Sequence, residues 1–118
     1  MGIFSYPIEI AATPAGPFEA LEAVADTGST YLWVPRPILD RLAVPALESR
    51  QFVLASGETV ELDVGQVVVR IDGRAIFTIS VFGPEGTQPL LGAYTLEGLG
   101  LAAGPVGKRL IRVPGYAL

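Results

Sequence analysis

Apolar positions recur along this chain in short alternating runs, and turn-forming residues separate the runs. Phe4, Tyr6, Ile8 and Ile10 are spaced by two, the period of a strand that buries one face. Thr13-Pro14-Ala15-Gly16-Pro17 breaks the pattern as a turn, and Phe18 to Ala25 predicts a second strand that runs into Asp26-Thr27-Gly28. Tyr31 to Val34 is apolar and rich in β-formers, and Pro35 stops it. From Pro37 the spacing changes. Ile38, Leu39 and Leu42 share a helical face, so a short helix is predicted over Pro37 to Leu42.

Phe52-Val53-Leu54 and Thr59-Val60-Glu61-Leu62 flank Ala55-Ser56-Gly57-Glu58, which predicts a hairpin with glycine near its tip. Val60, Leu62 and Val64 share one parity, whereas Val67, Val69 and Ile71 share the other. A bulge at Gly65-Gln66 would let both sets face a core. Asp72-Gly73 predicts a tight turn into a strand from Ala75 to Phe82, where Phe77, Ile79 and Val81 point one way. Gly83 to Pro89 reads as a loop. Leu90-Leu91-Gly92 then leads into a short helix from Ala93 to Leu99, capped by Gly100, and a last strand covers Arg109 to Val113. Fourteen glycines and ten prolines keep the elements short, so the expected class is all-β with one or two short helices. At 118 residues, one domain spanning 1–118 is expected.

Composition narrows the chemistry. The chain has neither Cys nor His, which excludes disulfides, thiolate nucleophiles, imidazole ligands and Ser-His-Asp catalysis. No metal or cofactor is expected. Half the residues are apolar, 17% are charged, and the net charge is −4. No basic patch exists to neutralise phosphates, so nucleic acid is not expected as a partner. The apolar stretch Leu99 to Val106 is broken by Gly100, Gly104 and Pro105 and is too short to span a bilayer. With no signal-like start, a soluble cytoplasmic protein without a membrane partner is the expectation.

Hydrolytic chemistry must then come from carboxylates, hydroxyls, amines or backbone groups, and acid–base hydrolysis without His or metal draws on carboxylates. It needs two of them close enough to share a proton, one acting as base and the other as acid. Only Asp26, Asp40, Asp63 and Asp72 are aspartates. Asp72-Gly73 is accounted for by its turn, Asp40 by the exposed face of the short helix, and Asp63 by solvation. Asp26-Thr27-Gly28-Ser29 lies between two apolar segments, where glycine permits a sharp turn, Ser29 can donate to the carboxylate, and Thr27 can bond across to an identical loop. By itself the triplet also fits a plain turn between strands.

Asp26-Thr27-Gly28-Ser29 resembles the active-site loop of aspartic proteases, and the stretch through Thr30-Tyr31-Leu32-Trp33-Val34-Pro35 closely resembles the pepsin version. Pepsin-like enzymes carry two such loops in a longer chain; this chain carries one. It therefore resembles the retropepsins, in which a homodimer supplies both aspartates, and among them the bacterial retropepsin-like proteins. The resemblance spans roughly Phe18 to Val113 and implies a single-domain acid-protease barrel. In that frame Asp26 is catalytic, and Thr27, Gly28 and Ser29 build the loop. Ala55, Ser56, Gly57 and Glu58 lie where the substrate-covering flap lies, although a plain surface hairpin gives the same pattern. Leu90, Leu91 and Gly92 match the signature that supports the active-site loop, and Trp33 fits a core or pocket-wall position. The flap here has one glycine where viral enzymes carry several, position 29 is Ser where they usually have Ala, and the termini do not match the viral dimer strands.

The resemblance implies a homodimeric endopeptidase that cuts peptide or protein substrates between apolar residues at acidic to mildly acidic pH. Water held between the two Asp26 carboxylates would attack the carbonyl. Two rival readings are a catalytically silent or latent peptide-binding dimer of the same fold, and a structural β-domain whose Asp26 meets no partner.

Overall fold

The computed structural model describes residues 4–104 and 109–115. In chain order the elements are β1 (Phe4–Ala11), β2 (Glu19–Ala25), β3 (Leu32–Pro35), α1 (Arg36–Arg41), β4 (Glu48–Val53) and β5 (Thr59–Ile71). There follow β6 (Arg74–Gly83), β7 (Leu90–Leu91), α2 (Ala93–Gly98), β8 (Leu101–Ala103) and β9 (Leu110–Arg112). The chain is mostly β. Strands run in the order β1-β2-β7-β3-β6-β5, and pairing of β1 with β5 closes them into a six-stranded barrel. β4 extends the sheet from β5 alone, and β8 and β9 form a separate two-stranded sheet.

Alternation accounts for most of this. Ile8 and Ile10 of β1 turn inward against Leu32, Val34, Leu91 and Leu96. Each fully buried aliphatic side chain of this kind contributes roughly 1.5–3 kcal/mol. Asp72 and Gly73 both take positive φ, 52° and 80°, and form the two-residue turn between β5 and β6. Gly100 follows α2 with φ +69°, the left-handed residue that ends the helix.

Three expectations need correction. No bulge occurs at Gly65-Gln66: β5 keeps one register with β6 from Val64 opposite Val81 to Ile71 opposite Arg74. Both parities of β5 are buried because the strand is covered on both faces. Val67, Val69 and Ile71 enter the main core, whereas Val68 is flanked by Ala11 and Phe77 of its neighbours. Gly65 answers to packing instead, since a Cβ there would stand 2.6 Å from the Pro45 carbonyl oxygen. The first hairpin strand begins at Glu48 rather than Phe52, because an edge strand with polar residues on both faces has no apolar period to read. β8 was not expected, since Ala and Gly obscure its pattern; the end of the apolar stretch that holds it, positions 105 and 106, lies outside the described residues. Phe77, Ile79 and Val81 do share a face, but it turns away from the main core, and Phe77 is 55% exposed while Val81 is fully buried.

One buried polar pair ties β6 to α2. The Thr78 and Thr95 hydroxyls are 2.9 Å apart and both side chains are buried. Thr78→Val strands the Thr95 hydroxyl and is expected to cost about 1–3 kcal/mol. The double replacement of both by Val removes donor and acceptor together and is expected to recover most of that loss in urea melts. A double variant less stable than Thr78→Val would refute this account of the pair.

Candidate active site

The loop after β2 is built by backbone contacts. Ala25 pairs in parallel with Leu91, and the Asp26 amide donates to the Leu91 carbonyl at 3.0 Å. The chain then turns, with the Ser29 amide donating to the Asp26 carbonyl at 3.0 Å. The Gly28 amide donates to Asp26 Oδ1 at 2.9 Å, an Asx-type bond that holds the carboxylate from its own loop. A Cβ at position 28 would lie 3.2 Å from that oxygen, so glycine leaves room for the approach.

The second half of the loop is pinned by β7 and α2. The Ala93 amide donates to the Ser29 carbonyl at 2.9 Å, and the Tyr94 amide donates to the Thr30 carbonyl at 2.8 Å. These bonds require Gly92, where a Cβ would stand 2.5 Å from the Tyr31 carbonyl oxygen and 2.7 Å from that of Ser29. Leu90, Leu91 and Gly92 are thus in contact with the Asp26 segment. The Ser29 hydroxyl is directed at the Tyr31 carbonyl, 3.4 Å away, so the carboxylate is held by the Gly28 amide rather than by the Ser29 hydroxyl expected from sequence.

The β4–β5 hairpin stands opposite. Its end is closed by the Leu54 amide on the Glu58 carbonyl and the Gly57 amide on the Leu54 carbonyl, both at 2.8 Å, with Gly57 at φ +88°. A cleft of about 510 Å³ lies between hairpin and loop. Asp26, Gly28, Ser29 and Leu90 form one side, and Val53, Leu54, Ala55, Val60 and Leu62 form the other. Trp33, Pro84, Thr87 and Gln88 complete the lining. Ala55 lines the cleft, whereas Ser56, Gly57 and Glu58 sit at the exposed tip. The size suits a small ligand or a peptide segment.

This architecture recurs in solved structures. The Simian Foamy Virus (mac) protease matches with TM-score 0.58 and 21% identity over 81% of this chain and 94% of that one. The EIAV protease in complex with an inhibitor matches with TM-score 0.58 and 21% identity, over 84% and 89% of the two chains. A retropepsin-like aspartic protease from Rickettsia conorii matches with TM-score 0.58 and 20% identity, over 92% and 90%.

The fold is retropepsin-like. Neither a protein-family model nor a curated protein matches the chain.

Several residues around this cleft carry no signal in the linear sequence. Phe52 meets the Trp33 ring edge-on at 5.3 Å and the Tyr31 ring at 6.5 Å, so aromatic contacts hold the hairpin stem to β3 and the residue before it. Asp63 was expected to be merely solvated. Instead it accepts from the Ser49 hydroxyl at 2.7 Å and from Arg36, whose guanidinium also lies 4.6 Å from the centre of the Phe82 ring. These bonds, that of Ser49 first and then that of Arg36, hold the Asp63 carboxyl below the usual aspartate range. Among the described residues, no group of three or more Asp, Glu, His or Cys could hold a metal ion, and no helix is long and apolar enough to cross a membrane.

Two outcomes follow from this geometry. Gly92→Ala is expected to lower stability by about 2 kcal/mol or more, because all three clashes a Cβ would make, with Tyr31, Ser29 and Thr30, are with backbone. An unchanged urea midpoint would rule out the close approach. Asp63 has a lowered folded pKa, so its link to Ser49 and Arg36 is intact at neutral pH and is lost as pH falls through that lowered value. Asp63→Asn should therefore melt below wild type at neutral pH, and the gap should close only below about pH 4.

Proposed function

We propose that the protein is an aspartic endopeptidase that works as a homodimer, its 118 residues forming one domain per subunit. The observation that carries this reading is the Asp26 carboxylate, fixed by the Gly28 amide and lining an apolar cleft opposite a hairpin. One such loop per chain supplies one carboxylate, and acid–base hydrolysis by this route needs two, so the second comes from Asp26 of another copy. Water between the two is deprotonated by one carboxylate as it attacks the peptide carbonyl. The other carboxylate protonates the carbonyl oxygen, and the leaving amine takes up a proton as the carbon–nitrogen bond breaks.

The other roles follow from position. Thr27 bonds across the dimer to its counterpart, Gly28 and Ser29 shape the loop, and Ala55 to Glu58 form the flap over the substrate. Trp33, Val53, Leu54, Val60, Leu62 and Leu90 make the cleft apolar, which favours apolar residues beside the cut bond. The outer edge of β4 has no strand partner among the described residues, and an extended peptide can pair along it. The fold likeness to retroviral and retropepsin-like proteases supports this reading. A peptide-binding dimer that does not cut is the second reading. It is favoured by the Ser29 hydroxyl, which bonds the Tyr31 carbonyl and leaves the carboxylate to the Gly28 amide.

A pool of unstructured peptides incubated from about pH 3 to about pH 7 tests both readings. Wild type should cut between apolar residues, with activity per subunit rising with protein concentration as dimers form. Asp26→Asn should reduce cleavage by at least about 10²-fold. It should keep the melting temperature, since the Asn oxygen still accepts from the Gly28 amide. Cuts that persist in Asp26→Asn, or a strict monomer that cuts, would overturn the dimeric aspartic mechanism. Peptide binding without cutting at any pH would favour the second reading.

A further inference from the structure

A second hollow of about 400 Å³ adjoins the cleft. The two share Gly28, Ser29, Trp33 and Val53, so they are successive chambers along one path. Their chemistry differs. The chamber at Asp26 is mainly apolar, whereas the adjoining one adds Thr30, Gln51 and the guanidinium of Arg50. Among the described residues, Arg50 is the only charged one lining it. A cation there stands out on a chain with net charge −4.

The guanidinium is also aimed. Arg50 and Phe52 alternate onto one face of β4. Arg50 Nη1 donates to the Tyr31 hydroxyl at 3.2 Å, and its guanidinium carbon lies 5.8 Å from the Tyr31 ring centre. Tyr31 is itself wedged edge-on against Phe52 and against Tyr94, the latter at 5.6 Å. Arg50 Nε donates to Glu48 two residues back on the same strand. That pair is open to solvent, with the Glu48 side chain 55% exposed, and such pairs are worth little. An incoming carboxylate can replace Glu48 at small cost and meet the planar fork that suits it.

We propose that this chamber selects an acidic side chain of the bound peptide, with Arg50 as the selecting group. The proposal rests on the reading of the cleft as a peptide site. An extended peptide presents alternate side chains to one face, so the selected residue lies a short way along the chain from the apolar residues at Asp26.

Trp33, the only tryptophan, lines both chambers and reports binding by its fluorescence. Asp26→Asn protein is titrated with unstructured peptides that share an apolar centre and differ at one flanking position, Glu, Gln or Lys, scanned along the peptide. At one position Glu should bind about tenfold tighter than Gln, with Lys weakest. Adding Arg50→Gln should bring the Glu-to-Gln ratio to about one, and adding Glu48→Gln should widen it by removing the internal competitor. No position with a Glu preference, no binding of any peptide, or a preference that survives Arg50→Gln would each overturn the proposal. Wild-type cleavage of the same peptides is scored separately. Cutting without a Glu preference overturns the selection and keeps the protease reading, whereas Glu-selective binding without cutting does the reverse.

Discussion

Two segments far apart in sequence, 26–31 and 90–94, meet here with no side chain between them. Gly92 makes this contact, with the Ser29 and Tyr31 carbonyl oxygens inside the space a Cβ would fill. The bare α-carbon lets the Ala93 and Tyr94 amides reach the Ser29 and Thr30 carbonyls. It also lets two-residue β7 sit between β2 and β3 and complete the barrel. The direction of the Asp26 carboxylate is then set by backbone: its amide on Leu91, its carbonyl under Ser29, its Oδ1 under Gly28. A group held this way keeps its aim through side-chain changes around it.

The hairpin is built on the opposite principle. β4 pairs with one strand only and carries mostly polar, exposed residues. Its order comes from its stem. On one face Ser49 and Asp63 reach Arg36, and on the other Phe52 packs on Tyr31 and Trp33. Beyond Leu54 the contacts thin to the closing turn and an exposed tip. Local stability follows buried contacts, so the stem belongs to the stable part of the molecule and the tip to the part that opens at least cost.

Sequence legibility follows the same division. Local signals were readable: the alternation of β1, Asp72-Gly73, Gly57, Gly100, and the Asp26-Thr27-Gly28 loop with its Leu-Leu-Gly support. What failed was whatever depends on what lies across a strand. Val64 and Val67 have opposite parity and are both buried, which a linear reading reconciles with a bulge. The barrel reconciles it by covering β5 on both faces, and Gly65 serves the Pro45 backbone that crosses it. Glu48 to Gln51 carries no apolar period, and its strand exists because β5 offers a partner. Ser29 was expected at the carboxylate and Asp63 in solvent. Both expectations weighed residue type without the competing partners, the Tyr31 carbonyl in one case and Ser49 with Arg36 in the other.

The aromatic contacts at the stem link the hairpin to the chemistry of the cleft. Tyr31 lies just past the loop that carries Asp26, and its ring meets Phe52 while its hydroxyl receives Arg50. Trp33, two residues on, meets Phe52 and forms wall in both chambers. Because strand alternation puts Arg50 and Phe52 on one face, the side chain that fastens the stem and the side chain that carries charge into the path are fixed by the same register. A change that loosened Phe52 would displace Arg50 with it. Hairpin anchoring and the charge character of the path are therefore one structural property, set by the pairing of β4 with β5 and by the two aromatic residues that follow the Asp26 loop.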